Sequence, residues 1–197
     1  MTFASQNLTA GQLNAIVKKL GGEKGAMRFL AGELIVTENP KVGASRTIIA
    51  KLLEEVGQPV DLPAIERFVA RQKFVVDQSG ELPISYLGDN FRANFLDVVE
   101  ENVKAAALKQ RKLLKRLVDK PILSALGGEE KARVALAHVF DYLKTADRNL
   151  WFIFYVKDAK GVLWAVSAYW RGVGWSVGAF AVSDPDAWGD GSHVVSR

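Results

Sequence analysis

The sequence predicts an α+β protein: a helical N-terminal part, a long amphipathic helix, and a C-terminal antiparallel meander of three or four strands. Three observations carry this. Residues 149–197 are rich in rings, holding all five tryptophans (Trp151, Trp164, Trp170, Trp175 and Trp188), and alternate at a period of two. Residues 91–118 carry apolar side chains at helical spacing. Before about residue 75, Gly and Pro divide the chain into short segments of helical pattern. The expected division is therefore a helical subdomain over 1–75 and an α+β subdomain with the Trp-rich sheet over 76–197.

In chain order, Thr9 is placed to cap a helix with Leu13, Ile16, Val17 and Leu20 on its apolar face, ended by Gly21-Gly22. Glu23 to Ala31 predicts a second short helix with Met27 and Leu30 inward, and Leu34 to Thr37 an extended piece before Asn39-Pro40. Ser45 is suited to cap a helix built on Ile48, Ile49, Leu52, Leu53 and Val56, ending at Gly57. Pro63 can open another, with Ile65, Phe68 and Val69 buried. Phe74-Val75-Val76 and Ile84-Ser85-Tyr86 read as short strands around the Gln78-Ser79-Gly80 turn.

The long helix places Phe95, Leu96, Val99, Val103, Ala106, Leu113, Leu114, Leu117 and Val118 on one side, with Gln110 as a polar exception. Pro121 ends it, and a last helix is expected over about Glu129 to Thr145. Trp151 to Val156 is apolar throughout, so both strand faces require cover. Asp158-Ala159-Lys160-Gly161 fits a hairpin loop. Val162 to Trp170 then sets Trp164, Val166, Ala168 and Trp170 against Leu163, Ala165, Ser167 and Tyr169 on the other face. Trp175 to Val182 alternates again, with small residues at Gly178, Ala179 and Ala181 that permit a close approach. His193 to Ser196 is short enough for a fourth strand.

Composition narrows the function. Apolar residues make 49% and charged residues 24% of the chain, as in soluble globular proteins. The absence of cysteine excludes disulfides and thiolate chemistry and suits a reducing cytoplasm. No apolar run reaches the ~20 residues of a membrane span, and the N-terminus lacks the pattern of a signal peptide. The expectation is a cytoplasmic protein with no membrane association. A net charge of +4 permits an anionic partner without requiring one.

Gly174-Trp175-Ser176-Val177-Gly178 matches the nucleophile-elbow pattern, with aspartates and His193 downstream in the matching order. That chemistry needs a strand-to-helix turn above a parallel sheet. Ser176 instead lies within an alternating strand, so no catalytic residue is assigned and an enzyme is not the expectation. The Asp184 to Gly191 loop, though acidic, reads as an ordinary turn, and two histidines without cysteine give no metal or cofactor site. His138, beside Asp141 and Tyr142, reads as a hydrogen-bonded structural residue. The helix-Gly-Gly-helix pattern near the N-terminus reads as an αα-hairpin rather than a DNA reader.

Two surfaces remain. Lys104, Lys109, Arg111, Lys112, Lys115, Arg116 and Lys120 gather on one side of the expected long helix and form a candidate nucleic-acid face. The plainer account is a solvated helix face whose cations complement the helix C-terminus, since no aromatic residues interleave for base stacking. Tyr169, Trp170 and Trp188 are candidates for a protein-partner surface, although Trp belongs both in cores and at binding hot spots.

Several stretches together, Phe74-Val75-Val76-Asp77, Ile84 to Phe91, Leu126 to Ala132, Phe154-Tyr155-Val156 and Gly161 to Arg197, resemble a family of uncharacterised proteins encoded in candidate-phylum bacterial genomes. The resemblance covers most of the chain and implies a bacterial cytoplasmic protein. It supplies no activity, ligand or catalytic residue. The leading functional expectation is a non-catalytic binding or protein-interaction module, with nucleic-acid binding through the 104–120 face as the alternative.

Overall fold

The computed structural model describes residues 14, 16–18, 20–30 and 52–197, and the chain divides into two compact units, residues 1–44 and 45–197. The expected cap at Thr9, the extended piece at 34–37 and the helix start at Ser45 lie outside the described residues. In the first unit, Gly21 and Gly22 both take positive φ, which ends one helical turn before helix α1 (Glu23–Leu30) begins. Met27 was expected inward but is 62% exposed.

The second unit is a large mixed sheet, not a helical part followed by a small meander. Its strands are β1 (Leu53–Leu62), β3 (Ile84–Leu87), β5 (Ala106–Leu113), β6 (Trp151–Lys157), β7 (Leu163–Arg171), β8 (Gly174–Ala181) and β9 (His193–Ser196). Their order across the sheet is β1-β5-β9-β6-β7-β8-β3. Strands β2 (Ile65–Val69) and β4 (Val99–Val103) form a separate antiparallel pair. The short helices are α2 (Ala70–Lys73), α3 (Asp89–Phe95), α4 (Asp119–Ala125), α5 (Glu129–Ala132) and α6 (Leu136–Thr145).

The expected long helix over 91–118 is the largest correction. Only its first turns are helical, as α3; the remainder is β4 and β5. Asn102 within β4 takes a φ of 52°, and residues 104–105 link β4 to β5. Ala, Leu, Lys, Gln and Arg favour helix in isolation, but β5 is enclosed by β1 and β9 and buries Leu108 and Leu113 on opposite faces. The four polar residues between them occupy both faces and erase the alternation that would have marked a strand, and tertiary pairing overrides local propensity.

The same correction holds upstream. Leu53 and Val56, expected on a helix, belong to β1, and Gly57 does not end a helix. At φ 72° it sits in the bulge between Val56 and Val60. Ile65, Phe68 and Val69 form β2 instead of a helix after Pro63. Phe74-Val75-Val76 is not a strand: Phe74 is buried, while Val75 and Val76 are exposed in a loop. The expected helix over 129–145 breaks at Arg133, whose ψ of 135° is extended, and Val134 N–H donates to the Tyr155 carbonyl.

Strands β6, β7 and β8 do run as an antiparallel meander, but as part of the larger sheet. β9 does not follow β8 at the edge; it inserts between β5 and β6, parallel to β6. At the other side β3 joins β8 in parallel. The sheet separates two cores. Phe152, Phe154, Val166, Ala168, Trp175 and Val177 face α3, α6 and β2 on one side. Ile153, Tyr155, Ala165 and Val194 face α4 and α5 on the other. Each fully buried ring or branched side chain contributes on the order of 2 kcal/mol, so helices on both faces are what make the wide sheet stable.

Candidate functional site

Cover on the α4–α5 face is incomplete, and this leaves the site. Strand register puts Trp151 beside Tyr169, Tyr169 beside Ser176, and Ser176 beside Tyr86, in one row across β6, β7, β8 and β3. The next row holds Ile153, Ser167 and Gly178, and Phe180 follows two residues along β8. The result is a trough of about 450 Å³ lined by Tyr86, Trp151, Tyr169 and Phe180, with Ser167, Ser176 and Gly178 as its floor and Asp89 and Asn90 at its rim.

Four rings reach solvent or half reach it. Tyr86 is 47% exposed, Trp151 44% and Phe180 39%, while Tyr169 is half-buried. Trp151 and Tyr169 stack with centroids 4.4 Å apart and planes 27° apart, which fixes both rings in place. Phe180 meets Trp188 edge-on at 5.3 Å. The floor stays low because its residues are small. A Cβ built on Gly178 would lie 3.4 Å from the Ser167 Oγ and 3.4 Å from the Phe180 ring. Neither Ser167 nor Ser176, both at least 97% buried, makes a side-chain hydrogen bond to a described residue. Asn90 Nδ2 donates to the Ala179 carbonyl at 3.2 Å.

The predicted partner residues do not share this surface. Tyr169 lines the trough, but Trp170 is its neighbour along β7 and points to the opposite face. There it meets Trp175 edge-on at 5.6 Å and lies under the Arg148 guanidinium at 4.0 Å. Trp188 is part-buried and donates through Nε1 to Asp119 Oδ1, which also accepts from the Tyr155 hydroxyl. Burial raises the Asp119 carboxyl above its ordinary range; the two hydrogen bonds oppose this and the charge of Asp184 adds to it. Trp188 therefore serves as a lid on the α4 side of the sheet. Tyr86, Trp151 and Phe180 were missed by the sequence reading. Their signal was available only as parity: Trp151 and Phe180 have the strand parity of Tyr169, once the register is known.

The predicted basic face is dispersed because the helix that would align it is absent. Lys104 lies in the β4–β5 link. Lys109 and Arg111 share one face of β5, where Glu55 pairs with both, at 3.2 Å and 3.5 Å. Arg111 also donates to the Ser196 hydroxyl. Lys112 points from the opposite face, Lys115 and Arg116 are exposed after β5, and Lys120 lies in the first turn of α4. Helical spacing brings these residues together; strand spacing sends them apart.

Ser176 and His193 lie on opposite faces of the sheet, with β7 and β6 between their strands. His193 Nδ1 instead accepts from Gln110 Nε2 at 2.6 Å, and Gln110 Oε1 accepts from the Tyr142 hydroxyl at 2.7 Å. In the acidic loop, Asp184 Oδ1 accepts from the Asp186 amide, as an ordinary turn residue does. No group of three His, Cys, Asp or Glu suited to a metal occurs among the described residues. His138 is buried, with Nε2 at 3.1 Å from the Pro63 carbonyl. No described helix is long and apolar enough to cross a membrane. No protein-family model, curated protein or solved structure matches the chain.

Proposed function

We propose that the protein is a non-catalytic binding protein and that the trough on β6, β7, β8 and β3 is its ligand site. A single observation carries this: partly exposed rings surround a floor whose two serine hydroxyls open onto the trough and make no side-chain hydrogen bond to a described residue. A soluble protein gains nothing in stability from leaving such rings uncovered. Concave, mainly apolar sites with a few convergent polar groups are where small ligands bind. A cytoplasmic setting fits the cysteine-free sequence and belongs to this reading.

The test is a fragment screen by ligand-observed NMR on the whole chain, repeated on Gly178→Leu. Leucine in place of Gly178 suits a strand and fills the trough from its floor. Fragments that contact the wild-type protein and shift Trp emission should lose contact in the variant, while far-ultraviolet circular dichroism is unchanged. Fragments that bind both proteins equally, or no bound fragments at all, would overturn the assignment.

A further inference from the structure

Given that the trough is a binding site, we infer that its ligand is a neutral saccharide. The first reason is the floor. Ser167 and Ser176 are 2% and 3% exposed, and their hydroxyls line the trough without a hydrogen-bond partner among the described residues. A ligand that displaces water from these hydroxyls without bonding them would leave them unpaired at a cost of about 1–3 kcal/mol, so the ligand that fits best brings its own donors and acceptors to the floor. Asn90 adds to this set at the rim, because its Nδ2 donates one hydrogen to Ala179 while its side-chain Oδ1 remains to accept.

The second reason is the walls. Tyr86 and Tyr169 flank Ser176 on adjacent strands, which sets their backbones about 9–10 Å apart. A sugar ring carries a face of C–H groups and a rim of hydroxyls. It therefore packs its apolar face on a phenol ring and turns its hydroxyls to the serines, which a purely apolar ring cannot do. Trp151, stacked on Tyr169, holds that wall upright.

The third reason is charge. The chain has 26 lysines and arginines, yet among the described residues none lines the trough, and Asp89 is the one charged residue there. A phosphate, an acidic sugar or a nucleic-acid backbone would meet a carboxylate and no cation. A quaternary ammonium would find ring faces and Asp89, but it has no hydrogen-bonding group to offer Ser167 and Ser176. A neutral polyol with an apolar face satisfies all three groups of residues.

The experiment is saturation-transfer NMR and Trp fluorescence titration of the whole chain with glucose, galactose, mannose, N-acetylglucosamine, maltose and cellobiose. Glucose 6-phosphate and choline serve as charged comparisons. At least one neutral saccharide should bind, with glucose 6-phosphate weaker by about ten-fold or more. Tyr169→Ala and Ser176→Ala should each weaken that saccharide by about ten-fold, and Gly178→Leu should abolish its binding with the fold intact. If choline or the screened fragments occupy the trough and no neutral saccharide does, the saccharide inference fails and the binding site stands. If nothing occupies the trough, or a saccharide binds Gly178→Leu as well as wild type, both fail.

Discussion

Gly174 lies so close to Ser85 that a Cβ built on it would stand 2.8 Å from the Ser85 amide nitrogen. The Ser85 hydroxyl donates to the Gly174 carbonyl at 3.0 Å, and Trp175 N–H donates to the Pro83 carbonyl at 2.8 Å. These contacts seat the parallel strand β3 on β8, and β3 carries Tyr86. The nearest atoms that a new methyl would meet are backbone atoms of Ile84 and Ser85 in β3 and of Pro83 just before it, which cannot rotate away. Gly174→Ala should therefore lower stability by about 1–3 kcal/mol in urea denaturation and weaken ligands of the trough by displacing Tyr86. Gly178→Ala, whose Cβ meets only side chains at ordinary contact, should leave stability unchanged.

The sequence was readable where one periodicity acted alone. The alternation of Leu163 to Trp170 gave the two faces of β7 as they stand, because its flanking strands are its neighbours in the chain. It was misread where polar residues on both faces of a paired strand removed the alternation and local composition favoured helix, as in Lys109 to Leu113. Gly57 shows the same ambiguity in one residue: a positive φ serves a helix end or a bulge, and only the pairing of β1 with β5 decides. For the site, Tyr169 was named and Tyr86 was not. The two are 83 positions apart by their numbers, and β3 reaches β8 through a parallel pairing that no hairpin signal announces.

Glu100 reaches from β4 to the start of α6, where its two carboxylate oxygens accept from the Leu136 and Ala137 amides at 3.0 and 2.8 Å. Helix α6 begins after Ala135, which has no capping side chain of its own, so Glu100 supplies the cap from a distance. Its negative charge also suits the helix N-terminus. Glu100→Ala should lower the unfolding free energy by about 1–2 kcal/mol, and Glu100→Gln by less, because one acceptor oxygen remains. Equal stability of wild type and Glu100→Ala would show that the α6 terminus is satisfied by water.

Asp119 presents a different case, because its folded state disfavours the charge. Burial raises its pKa above 3.8, so the folded protein holds the proton more tightly than the unfolded chain. The contribution of this group is complete below the unfolded value and is lost as pH rises through the folded value. Asp119→Asn keeps an oxygen for the Tyr155 hydroxyl and the Trp188 indole and removes the ionisation. It should match or exceed wild type in urea midpoint at neutral pH, with the difference shrinking toward about pH 4. Asp119→Ala leaves both donors without an acceptor and should cost about 2–3 kcal/mol.

His193 has the opposite sign. Burial lowers its pKa below 6.5, the charge of Lys112 lowers it further, and Asp147 opposes them. The neutral ring is also the form that Gln110 requires: Gln110 Nε2 donates to Nδ1, and protonation would turn that acceptor into a second donor. Tyr142 holds the amide in this orientation by donating to Gln110 Oε1. Burial also pushes the Tyr142 phenol up to about 12, so it keeps its proton throughout this range. The unfolded chain binds the His193 proton more readily, so stability is complete above pH 6.5 and falls as pH drops through 6.5 toward the folded value. His193→Gln retains an acceptor for Gln110 but does not titrate. Urea midpoints measured between about pH 8 and 5 should fall less in this variant than in wild type, the difference opening only below about pH 6.5. Parallel curves would show that Gln110 and Tyr142 reorganise around the charged ring without loss.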